Sequence, residues 1–259
     1  MLHFIFLRMK RTSLYIGIVL GIIISLTHIF TRVIPFVNSN DRMFTPFTMW
    51  LGIDSFSFLN LLFYLLIQLI SSLAFSDTLK KDIDNGFIYQ VKVRTESKKY
   101  FSGVFIAAFL GGTLMISIPL LLNQIITLLL LPSYLPDELI NRNIALISTS
   151  TLFVDLYYSH PYLHLMFYTF LASLWGGLFA CFTLAISLWL KNNMIVIFSA
   201  FLLQLVLYLI NTLVITQMSI TPFDFLPETI LFRSVTLPIV SIASIAIAIV
   251  SIAFYWIGV

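Results

Sequence analysis

The chain has 259 residues, of which 60% are hydrophobic and only 10% are charged, with a formal net charge of +3 at pH 7. Soluble globular proteins contain about 25% charged residues, so most of this surface cannot face water. The composition therefore excludes an ordinary soluble protein, and it favours the lipid bilayer over nucleic acid as the partner of the basic residues.

Six apolar stretches are each long enough to cross a bilayer as a helix, which takes about 20 residues. Their approximate bounds are 13–33, 55–75, 103–131, 167–190, 194–216 and 235–258. The third stretch is longer than a bilayer requires, and Pro119 gives it a place to bend. The sequence predicts an all-α membrane protein with six transmembrane helices, in which residues 1–259 form a single domain.

Lysine and arginine are divided unequally between the two sides that these spans define. Ten of the 14 fall on the side that holds the N-terminus, the connection between spans two and three, and the turn at Lys191. The other four fall on the opposite side. Because cytoplasmic connections of membrane proteins carry the excess of these residues, the sequence predicts that both termini lie in the cytoplasm.

Several spans contain glycines at positions that would allow close helix packing. Gly17 and Gly21 are one helical turn apart in span one, and glycine pairs occur at 111–112 in span three and 176–177 in span four. Small residues let helix backbones approach closely in a membrane. We interpret these glycines as packing positions without a chemical role.

Two spans carry polar side chains at helical spacing. They are Asn60, Tyr64, Gln68 and Ser71 in span two, and Gln204, Tyr208 and Asn211 in span five. Separations of three and four residues place each set on one helix face. Each stripe could line a translocation path, or it could form hydrogen bonds between helices of one chain, worth about 0.6–2 kcal/mol each.

Residues suited to catalysis or ion binding are scarce. No acidic or basic residue falls well inside a predicted span, which argues against a carrier driven by protons or sodium ions. His160 and His164 have a spacing that can hold a metal, but Pro161 and the neighbouring aromatic residues favour an interfacial belt. Motifs for nucleotide binding, metalloprotease activity and a serine nucleophile are missing from the sequence. We therefore predict no enzyme activity, no catalytic residue, no metal and no cofactor in this chain.

The connection between spans two and three, residues 77–102, is the most polar part of the chain. Gly86 can make a sharp turn there, and it precedes a short amphipathic stretch with the apolar residues Phe87, Ile88 and Val91. The order of residues in this loop resembles that of ABC-2 type transporter permeases, the membrane subunits of bacterial ATP-driven exporters. The positions that carry the resemblance are Asp84, Gly86, Ile88, Val91, Arg94, Ser97, Tyr100 and Gly103.

The resemblance implies that this loop is a coupling helix, which docks into a groove on a separate cytoplasmic ATPase subunit that binds ATP and Mg²⁺. The coupling residues would be Asp84, Gly86, Phe87, Ile88, Val91, Arg94 and Ser97. Residues 1–11 would form an amphipathic helix on the inner leaflet, or would only anchor the first span through their positive charges. Permeases of this family pair as homodimers or heterodimers around a path lined largely by spans two and five, where the two polar stripes lie.

The function implied by this resemblance is export, from a bacterial cell and across its plasma membrane, of a hydrophobic or amphipathic substrate such as a peptide, a lipid-like molecule or a drug. The alternative is a membrane protein without transport activity, such as an immunity or sensor partner of a peptide system. An ATPase that copurifies with the chain would distinguish the transporter from this alternative.

Overall fold

The structure is a computed structural model that describes residues 12–39, 41–73, 75–76, 78–94, 96–139, 144, 146, 151–229 and 233–259. The predicted amphipathic helix at residues 1–11 lies outside the described residues. Within them the chain is helical and contains no β-strand, as the sequence predicts. In chain order the described helices are α1 Thr12–His28, α2 Pro46–Met49, α3 Phe58–Leu73, α4 Thr78–Asp84, α5 Phe87–Arg94, α6 Ser97–Leu130, α7 Val154–Ser159, α8 Pro161–Ile186, α9 Asn193–Leu213, α10 Pro222–Phe225 and α11 Leu237–Gly258.

Five of the described helices are long and apolar enough to cross a membrane, namely α1, α6, α8, α9 and α11. A π-helical turn at Ile29–Val33 and a 3₁₀ turn at Ile34–Phe36 extend α1. Pro119 lies inside the 34-residue helix α6 and does not end it. These helices confirm a membrane-embedded protein.

The predicted span at 55–75 corresponds to α3, which has only 16 residues. A helix of that length measures about 24 Å, less than the roughly 30 Å hydrocarbon core of a bilayer. The preceding segment from Trp50 to Asp54 is irregular and buried. Irregular backbone is tolerated at membrane depth where protein covers it. The described residues therefore contain five helices of full spanning length, and a sixth span through α3 stays a prediction.

Hydrogen bonds and packing define the two ends of the helix bundle. At one end, which we call the basic end, Ile88 of α5, Leu188 after α8 and Val259 line one pocket, and Tyr255 donates a hydrogen bond to the backbone oxygen of Phe101. Lys81, Lys98, Lys99 and Lys191 belong to this end. At the opposite end, the segments 44–57, 151–160 and 214–236 are joined by hydrogen bonds.

Helices α6 and α8 pack along each other and form the centre of the bundle. Their backbones are so close at Gly112 and Gly176 that a Cβ atom on Gly112 would lie 2.5 Å from the carbonyl oxygen of Gly176. A Cβ atom on Gly21 would similarly lie 2.5 Å from Cγ of Pro119. The predicted packing role of these glycines is confirmed.

Helices α9 and α11 lie at the outside of the bundle. Each packs on α8, and they have few contacts with each other. Most of their apolar side chains are exposed on the surface of the single chain. An apolar cavity of about 410 Å³ separates them, and Trp175 of α8 forms part of its wall.

Candidate functional site

The polar stripe of α3 faces the interior of the bundle, where α3 packs against α8 and α9. All four of its side chains are buried. Asn60 donates a hydrogen bond to the backbone oxygen of Leu51 at 2.7 Å, and Ser71 donates to that of Ile67. The Tyr64 hydroxyl and both amide atoms of Gln68 have no hydrogen-bond partner among the described residues. The stripe thus combines groups that stabilise the fold with groups that could accept another partner.

The polar stripe of α9 likewise contains one side chain that is hydrogen-bonded within the fold and one that is buried without a partner. Asn211 is buried and fully used, because it donates to the backbone oxygens of Ile215 and Met218 and accepts from the nitrogen of Ile220. Gln204 is buried, and neither of its amide atoms has a partner in the described part of the chain. Tyr208 is exposed. Asn211 shapes the turn after α9, whereas Gln68 and Gln204 place two unpaired amides on helices that pack together.

A buried carboxylate–histidine pair lies near the N-terminal end of the α3 stripe. His164 is in the first turns of α8, Glu228 follows α10, and their residues are 0% and 1% exposed. Nδ1 of His164 is 3.5 Å from Oε2 of Glu228, and Nε2 is 3.1 Å from the backbone oxygen of Leu152. The Glu228 backbone is held by Gly52, whose oxygen accepts at 3.0 Å, and by the hydroxyl of Thr151, which donates at 2.7 Å. This pair therefore joins three segments at the opposite end.

Tyrosines surround the Glu228–His164 pair. The rings of Tyr157 and Tyr168 lie 5.3 Å and 4.9 Å from the His164 ring. The Tyr168 hydroxyl accepts from the nitrogen of Leu152, and the Tyr157 hydroxyl donates to the backbone oxygen of Phe47. Tyr64 lies within electrostatic reach of Glu228. The carboxyl group therefore lies in a wall of phenol and indole side chains rather than beside water.

Burial raises the pKa of the Glu228 carboxyl above its ordinary value, although the hydrogen-bonding groups of His164 and Trp50 act in the opposite direction. Among the described residues, neither carboxyl oxygen of Glu228 has a hydrogen-bond partner. Nδ1 of His164 has none either. Buried polar atoms without partners are rare in proteins and point to a functional role or a bound group.

A second buried carboxylate, that of Asp54, differs from Glu228 because an arginine pairs with it. Asp54 lies between α2 and α3, and Oδ2 accepts from Nε of Arg32 at 2.9 Å while Oδ1 accepts from Nη2 at 3.3 Å. Nε2 of His28 is 3.2 Å from Oδ2. Burial raises the pKa of Asp54, but the hydrogen bonds from His28 and Arg32 and the charge of Arg32 outweigh it and hold the pKa below its ordinary value.

Sequence reasoning did not identify either buried carboxylate as part of a site. Asp54 and Glu228 both fall between predicted spans, where a charged residue is usually solvated. Their partners, Arg32 and His164, are 22 and 64 positions away in the chain, so no spacing rule connects them. Only the burial of the connecting segments against the helices reveals the pairs.

The predicted coupling loop contains two short helices, α4 and α5, joined by Asn85 and Gly86. Gly86 has a φ angle of +68°, a conformation that residues with a side chain rarely adopt. Ile88 is buried and Val91 packs beside it, whereas Phe87, Tyr89 and Val93 are exposed.

Two further features place this loop on the bundle. The Tyr100 hydroxyl donates to Oδ2 of Asp82 at 2.6 Å, which joins α4 to α6, and Ser97 begins α6. The side chains of Asp84 and Arg94 lie outside the described part of the structure. The loop is therefore fixed at one face and presents apolar side chains at the other.

The two histidines with helical spacing do not share a site. His160 is exposed before α8, whereas His164 is buried against Glu228. Among the described residues, no group of three or more histidine, cysteine, aspartate or glutamate side chains is arranged to hold a metal ion.

Compared with protein-family models, with curated proteins and with solved structures, the chain matches none.

Proposed function

We propose that this chain is the permease subunit of an ATP-driven exporter of the ABC-2 type in a bacterial plasma membrane. ATP hydrolysis takes place on separate cytoplasmic subunits. The observation that carries the proposal is the α4–α5 unit at the basic end, which exposes Tyr89 and Val93 at 70% and 87%. Large apolar side chains on a short helix outside the membrane, among lysines, are typical of a contact surface for another protein.

The proposed topology has six spans, with α3 as the short sixth span, and both termini in the cytoplasm. The excess of lysine and arginine at the basic end supports this orientation. The α4–α5 unit then faces the cytoplasm, where an ATPase is accessible. The segments around the two buried carboxylates face the exterior.

Within the proposed coupling unit, the apolar residues have two roles. Ile88 and Val91 pack onto the bundle and hold α5 against α6 and the C-terminal end of α11. Tyr89 and Val93, which are largely exposed, provide the contact with the ATPase, together with the exposed part of Phe87, whose ring lies 6.3 Å from that of Tyr100. A movement of the ATPase would thus be transmitted through α5 to α6.

We expect that changing both Tyr89 and Val93 to aspartate releases the ATPase and abolishes ATP hydrolysis stimulated by the permease. The reason is that buried apolar and aromatic groups supply most of the energy of a protein interface. Copurification of the ATPase with the full-length chain in detergent measures the effect. The matched control changes Leu135 and Leu139 to aspartate, which are 71% and 81% exposed near the opposite end. Full retention of the ATPase by the Tyr89/Val93 variant would contradict the assignment of this surface.

The exposed faces of α9 and α11 support a permease that pairs with a second copy or a related chain, in addition to its contact with lipid. The apolar cavity of about 410 Å³ between these helices supports a hydrophobic or amphipathic substrate.

We expect Gln68→Leu and Gln204→Leu each to reduce export severalfold while assembly with the ATPase is preserved. Both amides are buried without partners in the described part of the chain, so their loss removes no hydrogen bond that holds the fold. Export from cells or vesicles measures the effect. Asn211→Leu is the control, because Asn211 makes three hydrogen bonds to the backbone and its loss should impair folding instead. If export were unchanged in both glutamine variants, the two side chains would contribute only to helix packing.

A further inference from the structure

The contacts of His164 determine which of its ring nitrogens carries hydrogen. Nε2 faces the backbone oxygen of Leu152 at 3.1 Å, and a carbonyl oxygen can only accept, so Nε2 must be protonated. In a neutral imidazole the other nitrogen, Nδ1, then has a lone pair. This lone pair faces Oε2 of Glu228 at 3.5 Å. An ionised carboxylate also offers only lone pairs, so the two groups would repel each other unless one more proton lies between them.

The surroundings of the pair decide which group holds that proton. Tyr64 from α3, Tyr157 from α7 and Tyr168 from α8 interact with Glu228, and the Trp50 indole approaches it. These groups are uncharged at neutral pH, and no lysine or arginine among the described residues forms an ion pair with Glu228. Among these groups only a protonated His164 ring could compensate a Glu228 carboxylate. Burying both ions costs more than burying the neutral pair unless further hydrogen bonds satisfy the carboxylate, and its oxygens have none among the described residues.

We propose that Glu228 and His164 form a proton-binding site, in which the Glu228 carboxyl is protonated at neutral pH and its O–H is directed at Nδ1 of the neutral His164 ring. The separation of 3.5 Å is longer than a strong hydrogen bond, and a shift of a few tenths of an ångström brings the two atoms within range. The site stands on the geometry of the pair and does not depend on the proposed transport function.

The bound proton stabilises the junction at the opposite end of the bundle. Glu228 connects the segment between α9 and α11 to Gly52 and Thr151 through its backbone, and to α8 through its side chain. Loss of the proton at high pH places a carboxylate against the lone pair of Nδ1, which weakens the side-chain contact. The ligand of this site is therefore a proton, and its release loosens the connection between α9 and α11.

A second buried carboxylate–histidine pair in the same chain, Asp54 and His28, has a different environment. Asp54 is also buried beside a histidine, but Arg32 supplies two hydrogen bonds and a positive charge. Asp54 should therefore be ionised at neutral pH while Glu228 is protonated. The opposite directions of their pKa shifts agree with this difference.

Infrared spectroscopy of the purified full-length protein in lipid vesicles tests the proposal directly. We expect a protonated-carboxyl C=O band at pH 7 that shifts when glutamate is labelled with ¹³C and disappears as the pH rises. The assignment is clear because the chain has only three glutamates, and Glu96 and Glu138 are exposed. The band should be absent in Glu228→Gln and retained in Asp54→Asn.

A second measurement determines the protonation state of His164 in the wild-type protein. With ¹⁵N-labelled histidine, nuclear magnetic resonance of the wild-type protein at pH 7 should show a neutral His164 ring with hydrogen on Nε2, identified by its loss in His164→Asn. A glutamate-derived band at pH 7 together with this neutral ring supports the site. Absence of the band, or a His164 ring protonated on both nitrogens, would overturn the proposal.

Discussion

Replacing Asp54 with asparagine is expected to destabilise the folded protein by about 3 kcal/mol, the lower part of the range for breaking a buried ion pair. Asparagine leaves the Arg32 guanidinium without a carboxylate and replaces one of the two oxygens that accept from His28 and Arg32 by a donor NH2 group. Arg32 is partly exposed, so water can partly replace the lost carboxylate. The ion pair and its neighbours Asn123 and Ser25 connect α1, α6 and the buried segment before α3, so the loss should affect the whole opposite end.

Glu228→Gln is the contrasting variant, and its effect should depend on pH. The pKa of Glu228 is raised in the folded state, so the folded protein binds more protons than the unfolded chain above the ordinary glutamate pKa of about 4.3. Stability of the wild type therefore falls as the pH rises from about 4.3 towards the raised pKa. Glutamine cannot ionise, so the variant should equal the wild type below about pH 4.3 and exceed it in stability increasingly as the pH rises above that value.

The Asp54 carboxylate makes the stability of the folded protein depend on pH in the opposite direction. Its pKa is lowered in the folded state, so its contribution is present above the unfolded pKa of about 3.9 and is lost as the pH falls below it. Tryptophan fluorescence during unfolding in detergent, measured from pH 3 to pH 9 on both variants, separates the two carboxylates. Equal destabilisation of both variants at pH 8 would show that Glu228, like Asp54, acts as a paired carboxylate.

Replacing Gly112 with alanine should destabilise the bundle by about 3 kcal/mol or more, because it forces the central helices α6 and α8 apart. The new Cβ atom would lie 2.5 Å from the backbone oxygen of Gly176 and 2.6 Å from Cβ of Ala180, and neither can move without its helix. Thermal unfolding of the purified protein in detergent measures the loss.

Gly177→Ala is the matched control for this substitution, one position from Gly176 on the same helix. Its Cβ atom would meet the Thr113 hydroxyl at 2.6 Å and the Phe109 ring at 2.8 Å. Both obstacles are side chains, which can change rotamer at a smaller cost than a backbone shift. If both variants were destabilised equally, the close approach of the α6 and α8 backbones would not explain why position 112 requires glycine.

Five of the six predicted spans could be placed from the sequence, because a bilayer demands about 20 apolar residues per span, wherever the rest of the chain lies. The glycine pairs were predictable for a related reason, since close packing between membrane helices requires small residues. The sharp turn at Gly86 was likewise a local property, which its positive φ angle confirms. The stripe of α3 was correctly placed on one face, because helical spacing alone decides that.

Tertiary structure decided the features that depend on residues far apart in the chain. The predicted span at 55–75 became a shorter helix after an irregular buried segment, because the surrounding helices cover that segment's backbone. Neither composition nor spacing could pair Glu228 with His164 or Asp54 with Arg32, since each pair joins a connection to a different helix. The presence of an arginine beside one carboxylate, and of only phenol, indole and imidazole groups beside the other, follows from packing alone. By our proposal this difference leaves Asp54 ionised and Glu228 protonated, since a buried carboxylate is costly unless a cation pairs with it and hydrogen bonds satisfy its oxygens.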